Sequence, residues 1–338
     1  MSIRLAVIGA GIMGGDHARI IAQDLPGVQL QVVCDAQVAR AQAIADECGA
    51  VAVANDPLAV IARGDVDAVI IASPDQTHAA LTLACIAAGK PVLCEKPLSQ
   101  SSVECQAVMQ AEIASGRRWI QLGFMRRFDQ SYTEIKAALD DGTLGPALMM
   151  HNFHRNVETP ASDFVAAMAI TNSAPHEFDV VRFVLNTDYA AISAFQPKRS
   201  DALVAPVFMV LETVAGQLVN IEINNNAGYG YDVRAELVGE RGSISMAAPL
   251  FSRRDGALTQ STGYASDWRA RYGEAYRRQN RAFVQFVQSG VFAGIAASAW
   301  DGYAAAVVAE AGVRALQSGV RVPVAMAAQP EFYGRGQL

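Results

Sequence analysis

The pattern of apolar and polar positions changes character once along the 338 residues, close to Gly123. Before that point, short apolar runs alternate with stretches of helical period. Ile3 to Ile8, Leu30 to Cys34, Val51 to Ala54, Ala68 to Ala72, the run that opens at Pro91 and ends at Cys94, and Trp119 to Phe124 all have strand length and composition. Runs of this length bounded by turn residues predict buried strands. The stretches between them predict helices, one of them starting near Ser99 or Ser101. Six strands alternating with helices predict an α/β Rossmann domain, a doubly wound parallel sheet, over residues 1–122.

After Gly123 the runs follow one another mostly without helices between them: Ala147 to Asn156, Ala190 to Phe195, Val207 to Val214, Leu218 to Asn225 and Asp232 to Met246. Short turns such as Ala215-Gly216-Gln217 join some of them. Helical patterns flank the group, from about His176 to Leu185, Asp267 to Gln288 and Ala299 to Leu316. In the second of these, Trp268, Tyr272, Tyr276, Phe283 and Phe286 recur at near-helical steps, which predicts a core stripe. Residues 123–338 are therefore expected to form an α+β domain for substrate and oligomer contacts, with a large, mostly antiparallel sheet and helices on one face. The sequence shows no internal repeat and no low-complexity tract.

Composition narrows the class. Hydrophobic residues make up 51% and charged residues 18%, the balance of a globular enzyme rather than of a disordered chain. No apolar run reaches membrane-spanning length, so a membrane partner is not expected. Met1 to Gly15 is apolar, yet its spaced glycines lead into a helical pattern and not into a cleavage site, so it reads as strand plus loop. The five cysteines, Cys34, Cys48, Cys85, Cys94 and Cys105, are odd in number and show no CxxC spacing. That usage predicts a reduced, cytoplasmic protein and proposes no metal site. The net charge of -6 argues against nucleic acid, and the Arg-Arg pairs starting at Arg117, Arg126, Arg253 and Arg277 build no stripe.

The first strand ends in Gly9-Ala10-Gly11-Ile12-Met13-Gly14, a G-x-G-x-x-G between strand and helix. Gly9 allows the tight turn, Gly11 a close approach of backbone to pyrophosphate, and Gly14 the packing of helix on strand. The following helix N-terminus offers its N–H groups to phosphate. The next strand ends in Asp35-Ala36, about twenty residues past the last glycine, where a ribose-binding carboxylate belongs. A carboxylate there accepts from ribose hydroxyls and repels a 2′-phosphate, which favours NAD; Arg40 nearby leaves some tolerance for NADP. Ser73 and Pro74 break the fourth strand where a dinucleotide would lie, and His78 opens the helix that follows, as a cofactor-side or a capping residue. The fifth strand delivers Glu95-Lys96-Pro97 at its carboxyl end, the end at which parallel sheets bind ligands. Pro97 stiffens the backbone at Lys96. A lysine so placed faces a ligand, the alternative being a strand-end lysine that snorkels into solvent.

Together with these motifs, GFMRRFD from Gly123, HNFHRN from His151 and PHEFDVVRFVL from Pro175 make the chain resemble the Gfo/Idh/MocA oxidoreductases over nearly its whole length. Within that family it is most similar to the inositol 2-dehydrogenase branch, through His154-Arg155-Asn156, His176 to Asp179, and Trp268 with Ala275-Tyr276. The resemblance implies NAD(P)-dependent hydride transfer at a secondary alcohol of a cyclitol or pyranose sugar. It also implies a cis peptide bond between Lys96 and Pro97, and dimers or tetramers formed through an open sheet face. Such a reaction needs a base for the hydroxyl proton and a donor for the developing alkoxide. Carried over, the resemblance gives the donor's role to Lys96 and the base's role to His176. It places Asp179 at neighbouring hydroxyls, with Arg127, His154, Asn156, Tyr231 and Tyr276 as further substrate-side candidates.

One position departs from the pattern. Four residues before the catalytic histidine the inositol dehydrogenases carry aspartate, and here Asn172 stands there. Asparagine orients an imidazole through its carbonyl but does not stabilise the imidazolium by charge. Asp163 lies upstream, and its spacing gives no reason to bring it to the site. Asn172 alone encourages a rival reading, a non-catalytic NAD-linked sugar sensor. The presence of both Lys96 and His176 speaks against that rival, since a pure binder needs no proton acceptor beside a cationic donor.

Overall fold

The computed structural model describes residues 2–157, 163–200, 203–247 and 252–334. The chain forms two compact units, one of residues 1–128, 275–306 and 327–338, the other of residues 129–274 and 307–326.

The first unit is built on the six expected strands: β1 (Ile3–Ile8), β2 (Val28–Cys34), β3 (Ala52–Ala54), β4 (Ala68–Ile71), β5 (Val92–Cys94) and β6 (Ile120–Leu122). They pair in parallel in the order β3-β2-β1-β4-β5-β6, with the switch point between β1 and β4. β4, β5 and β6 are buried at every residue, which is why they read as unbroken apolar runs. The connecting helices are α1 (Ile12–Asp24), α2 (Val38–Cys48), α3 (Pro57–Ala62), α4 (His78–Ala87) and α5 (Ser102–Ala114). Ser101, one of the two starts expected for α5, caps it by accepting from the Glu104 N–H. Buried Glu112, in the last turn of α5, accepts from the Trp119 and Ile120 N–H groups and from the Tyr333 hydroxyl, tying helix, strand entry and C-terminal turn together.

In the second unit the sheet is the expected large one. Its seven strands run in the order β12-β11-β7-β10-β9-β8-β15. They are β7 (Ala147–Arg155), β8 (Tyr189–Phe195), β9 (Val207–Thr213), β10 (Leu218–Asn224), β11 (Asp232–Gly239), β12 (Gly242–Ser245) and β15 (Val322–Pro323). All pairings are antiparallel except β10 with β7. The single run expected from Asp232 to Met246 is a hairpin instead, turning at Glu240 and Arg241. A second, exposed hairpin joins β13 (Arg253–Gly256) to β14 (Thr259–Thr262). One helix had no counterpart in the pattern: α6 (Gln130–Asp140), which buries Tyr132 and Ile135.

The route into α8 (Pro175–Leu185) is also more structured than its sequence suggests. A single turn, α7 (Ala166–Met168), passes into a π-helical turn, Ala169–Ser173, which carries Asn172. Every residue of α8 is buried. The helices expected near the end are α9 (Trp268–Ser289) and α10 (Ala299–Ser318). In α9 four residues of the predicted stripe, Tyr272, Tyr276, Phe283 and Phe286, are buried, while Trp268 at the start of the helix is only half-buried.

Candidate active site

In the first unit the chemistry gathers at the carboxyl ends of β1, β2, β4 and β5. Gly9 has φ +96°, and a Cβ there would lie 2.4 Å from the Ala72 carbonyl oxygen, so the loops after β1 and β4 touch backbone to backbone. A Cβ on Gly14 would lie 1.7 Å from the Gly9 carbonyl oxygen, whereas one on Gly11 would meet nothing within 4 Å. Two glycines therefore serve packing, and Gly11 leaves room at the helix start. Gly11 is the N-cap of α1 and gives it no side-chain cap. Ile12 is exposed and Met13 half-buried beside it. A thirteen-residue helix that starts on an uncapped glycine with open space before it fits a pyrophosphate.

Asp35 is held at the rim of the same loop. One carboxylate oxygen accepts from the Ala10 N–H at 2.8 Å and the other from the Gln37 N–H at 2.8 Å. Each oxygen retains a lone pair for a ribose hydroxyl. Ala36, next to it, is exposed. Ser73 pairs its hydroxyl with that of Thr77 at 2.6 Å, and Pro74 is exposed at the start of a 3₁₀ turn.

His78 is almost fully buried, and its ring reaches two loops. Nδ1 lies 2.6 Å from the Pro97 carbonyl oxygen and Nε2 2.8 Å from that of Ser73. Carbonyl oxygens only accept, so both ring nitrogens must carry protons for both bonds to form. Burial opposes that charge, but the Cys94 sulfur and the two carbonyls outweigh it, and the ring's pKa is pushed up to about 10. His78 thus braces the Ser73 loop against the turn that carries Lys96.

Lys96 is half-buried, and the peptide bond to Pro97 is cis, as the family pattern implies. Glu95 before it is buried and faces His17 of α1: Nε2 of His17 lies 2.9 Å from a Glu95 carboxylate oxygen. On the other side of the ring, the Asn280 side-chain amide lies 2.9 Å from Nδ1. The atom in contact is the amide nitrogen, which only donates, so Nδ1 accepts and Nε2 carries the proton that it donates to Glu95. Gly123 completes the seat, because a Cβ there would lie 2.9 Å from the Glu95 side chain. The Tyr276 ring stands edge-on to His17 at 5.9 Å. Arg127 is buried, and its guanidinium pairs with Asp301 at 2.8 Å.

In the second unit, the end of β7, the start of α8 and the residue just before β11 bring three predicted residues together. The His154 ring lies 6.4 Å from that of His176 and 6.3 Å from that of Tyr231, centroid to centroid. Tyr231 in turn stands edge-on to Tyr272 at 6.4 Å. His154 Nδ1 lies 3.1 Å from a carboxylate oxygen of Glu177. Asp179 is fully buried one turn further along α8. Asn156, just past β7, donates from its side chain to the Asn225 side-chain oxygen at 2.8 Å, and Ser173 approaches the same oxygen at 3.5 Å. Asn172 accepts from the Thr171 hydroxyl at 2.8 Å within the π-helical turn.

Sequence reasoning missed His17, Asn280, Glu177 and Asn225. The last two had a signal available, Glu177 inside the His-Glu-Phe-Asp run and Asn225 in the middle of Asn224-Asn225-Asn226. His17 and Asn280 had none, being far apart in sequence. Among the described residues no group of three or more His, Cys, Asp or Glu side chains is arranged to hold a metal ion.

A doubly wound sheet with this glycine loop, this strand-end carboxylate and a lysine at the end of β5 defines the class: an NAD-dependent oxidoreductase with a Rossmann unit. Comparison with known proteins makes it particular. Residues 3–124 match the model of the Gfo/Idh/MocA oxidoreductase family, NAD-binding Rossmann fold, and residues 132–245 match the Gfo/Idh/MocA C-terminal domain. The chain belongs to this family. It is 43% identical to inositol 2-dehydrogenase 1 of Saccharopolyspora erythraea, covering 99% of this chain and all of that one. It is 40% identical to inositol 2-dehydrogenase of Burkholderia cenocepacia, over 98% of this chain and 99% of that one. Among solved structures it is similar to myo-inositol dehydrogenase from Lactobacillus casei in complex with NAD(H) and myo-inositol. There the TM-score is 0.92 and the identity 30%, over 99% of this chain and all of that one.

Proposed function

We propose that the chain oxidises a secondary hydroxyl of an inositol or a close cyclitol relative, with Lys96 and His176 as its catalytic side chains. The observation that carries the reading is the placement of Lys96 just past the carboxyl end of β5, in the turn that His78 grips through the Pro97 carbonyl. His78 braces that turn to the Ser73 loop, so the lysine is fixed among the strand ends that suit a dinucleotide. NAD, when bound, supplies the hydride acceptor. The chain supplies the rest. Lys96 hydrogen-bonds the reacting hydroxyl and stabilises the alkoxide as it forms, and His176 takes the proton. His154, Asn156, Asp179, Tyr231, Arg127 and Tyr276 are the further side chains assigned to hold and orient the polyol. Similarity to inositol dehydrogenases supports the substrate class.

The same reading makes residues 123–338 the stretch for substrate and subunit contacts, and makes the protein a cytoplasmic homo-oligomer, a dimer or a tetramer. Five free thiols favour a reducing compartment. Among the described residues no helix is long and apolar enough to cross a membrane.

Screening cyclitols and aldoses for NADH formation tests the assignment. An inositol should be among the best substrates, and Lys96→Ala should lower kcat on it by roughly a hundredfold or more while NAD affinity changes little. Near-wild-type kcat in that variant would remove Lys96 from the chemistry. Turnover of aldoses but of no cyclitol would remove the substrate class.

A further inference from the structure

We propose that Glu177 is a positioning residue: its buried carboxylate holds the proton of His154 on Nδ1, so that Nε2 presents a lone pair to a hydroxyl of the polyol. This rests on the reading above that a polyol is the substrate and that His154 touches it.

The hydrogen-bonding rules fix the direction. An ionised carboxylate only accepts, so a bond of 3.1 Å between Glu177 and His154 Nδ1 requires the proton on Nδ1. In a neutral imidazole the other nitrogen is then the acceptor. Polarised by the carboxylate behind it, that nitrogen accepts more strongly, as it does when a carboxylate backs a metal-bound histidine.

The surroundings hold this arrangement in place. Glu177 is fully buried and His154 nearly so. A carboxylate taken out of water destabilises the fold unless it is hydrogen-bonded, so packing alone does not account for a glutamate at this position. The His154 ring is flanked by His176, tilted at 58°, and by Tyr231, edge-on at 79°. Both anchors sit on regular elements, β7 and α8, which hold a side chain more tightly than loops do. His176 and Glu177 are neighbours on α8, about 100° apart around the helix. One turn of helix therefore supplies both a base for the reacting hydroxyl and an anchor for the histidine that reads another hydroxyl.

The experiment uses the full chain labelled with 15N-histidine, its His154 resonances assigned by their loss in His154→Gln. Wild type should show the proton on Nδ1 alone, and adding myo-inositol with NADH, a mixture that does not turn over, should shift the Nε2 resonance. In Glu177→Gln the amide can donate to Nδ1, so the proton should move to Nε2, and KM for myo-inositol should rise roughly tenfold, the loss of one charge-assisted hydrogen bond, with kcat changed less. A wild-type proton on Nε2, alone or on both nitrogens, overturns the proposal without any variant, so it is decided even if Glu177→Gln does not fold. An unchanged tautomer in a folded Glu177→Gln overturns it as well. A switched tautomer with unchanged KM overturns the contact with the polyol. A protein that turns over no cyclitol but shows the expected tautomers refutes the substrate reading and leaves the positioning by Glu177 standing.

Discussion

Asp35 accepts two backbone amides, Ala10 N–H on one oxygen and Gln37 N–H on the other, and so has a fixed direction before any ligand arrives. A carboxylate held that way favours the paired hydroxyls of an unmodified ribose and opposes a 2′-phosphate. Wild type should therefore prefer NAD, and Asp35→Ser should shrink the ratio of kcat/KM for NAD over NADP by about tenfold or more. Equal use of both cofactors by wild type would defeat the assignment. Asp35 was legible in the sequence because its distance from the glycine loop is set by the length of one βαβ unit. Glu95 with His17, and His154 with Glu177, were not, because each pair is made by elements whose meeting no local pattern encodes.

Asn172 marks the limit of what the family pattern says about a single residue. If it faces His176, the imidazolium lacks an anionic neighbour at that position, and Asn172→Asp should supply one. A negative charge raises the histidine's pKa, so the ring stays protonated to higher pH. The rising limb of the kcat/KM profile for alcohol oxidation should then move to higher pH, even if the plateau rises. A change in the range of substrates with the limb in place would instead make Asn172 a substrate contact. No change in either would place it outside the site. The π-helical turn that carries it, Ala169–Ser173, alters the phase between positions 172 and 176 relative to a plain α-helix, which is why spacing alone does not settle what it faces.

At the scale of elements, β4, β5 and β6 were the plainest strands of the first unit because every residue in them is buried and the apolar signal is continuous, whereas β3, half-buried at the sheet edge, was legible only as a short apolar run. The second unit was readable as strands but less so in its joints. The β11–β12 hairpin turns at Glu240-Arg241, without the Asn-Gly or Asp-Gly pair that marks a tight turn, so two strands read as one. Helix α6 buries only Tyr132 and Ile135 and keeps a long polar face, a stripe too narrow to stand out. His78 was visible as a residue at a helix start, but its role as a brace between two loops belongs to tertiary structure.

That brace has a pH signature. The folded ring's pKa is pushed up to about 10, above the ordinary value near 6.5. A basic group with a raised folded pKa contributes stability that is fully present below its unfolded pKa and is lost as pH rises through the folded one. Stability against urea should fall from about pH 6.5 towards about pH 10, and His78→Gln should be less stable at pH 6 and show a flatter decline. Parallel declines in the two proteins would mean that the ring is neutral and one of its two carbonyl contacts is not a hydrogen bond.

The scale of the whole molecule turns on the sheet of the second unit. Along β9 and β10 the buried residues alternate strictly with more open ones, so one face is covered and the other is not. Register puts the open positions in rows. Phe195 lies opposite Phe208, Phe208 opposite Glu222, Glu222 opposite Phe153 and Phe153 opposite Arg234. In the next row Val210, Asn220, His151 and Glu236 stand side by side. Phe195, Phe208, Leu218 and Met149 are all exposed on this face, and no pattern within one strand reveals that, since each strand alone looks half-buried in the ordinary way. Large apolar side chains grouped on a broad sheet face mark an interaction surface more than they mark solvent. A second copy is the occupant we propose. In a two-fold contact each side chain counts twice, and burying a phenylalanine contributes about 2–3 kcal/mol. Phe208→Lys should therefore shift the mass in solution from dimer or tetramer towards monomer at micromolar concentration, with the circular dichroism spectrum unchanged. A wild type that is monomeric under those conditions, or a variant that keeps the full assembly, would show that the face meets something other than its own copy.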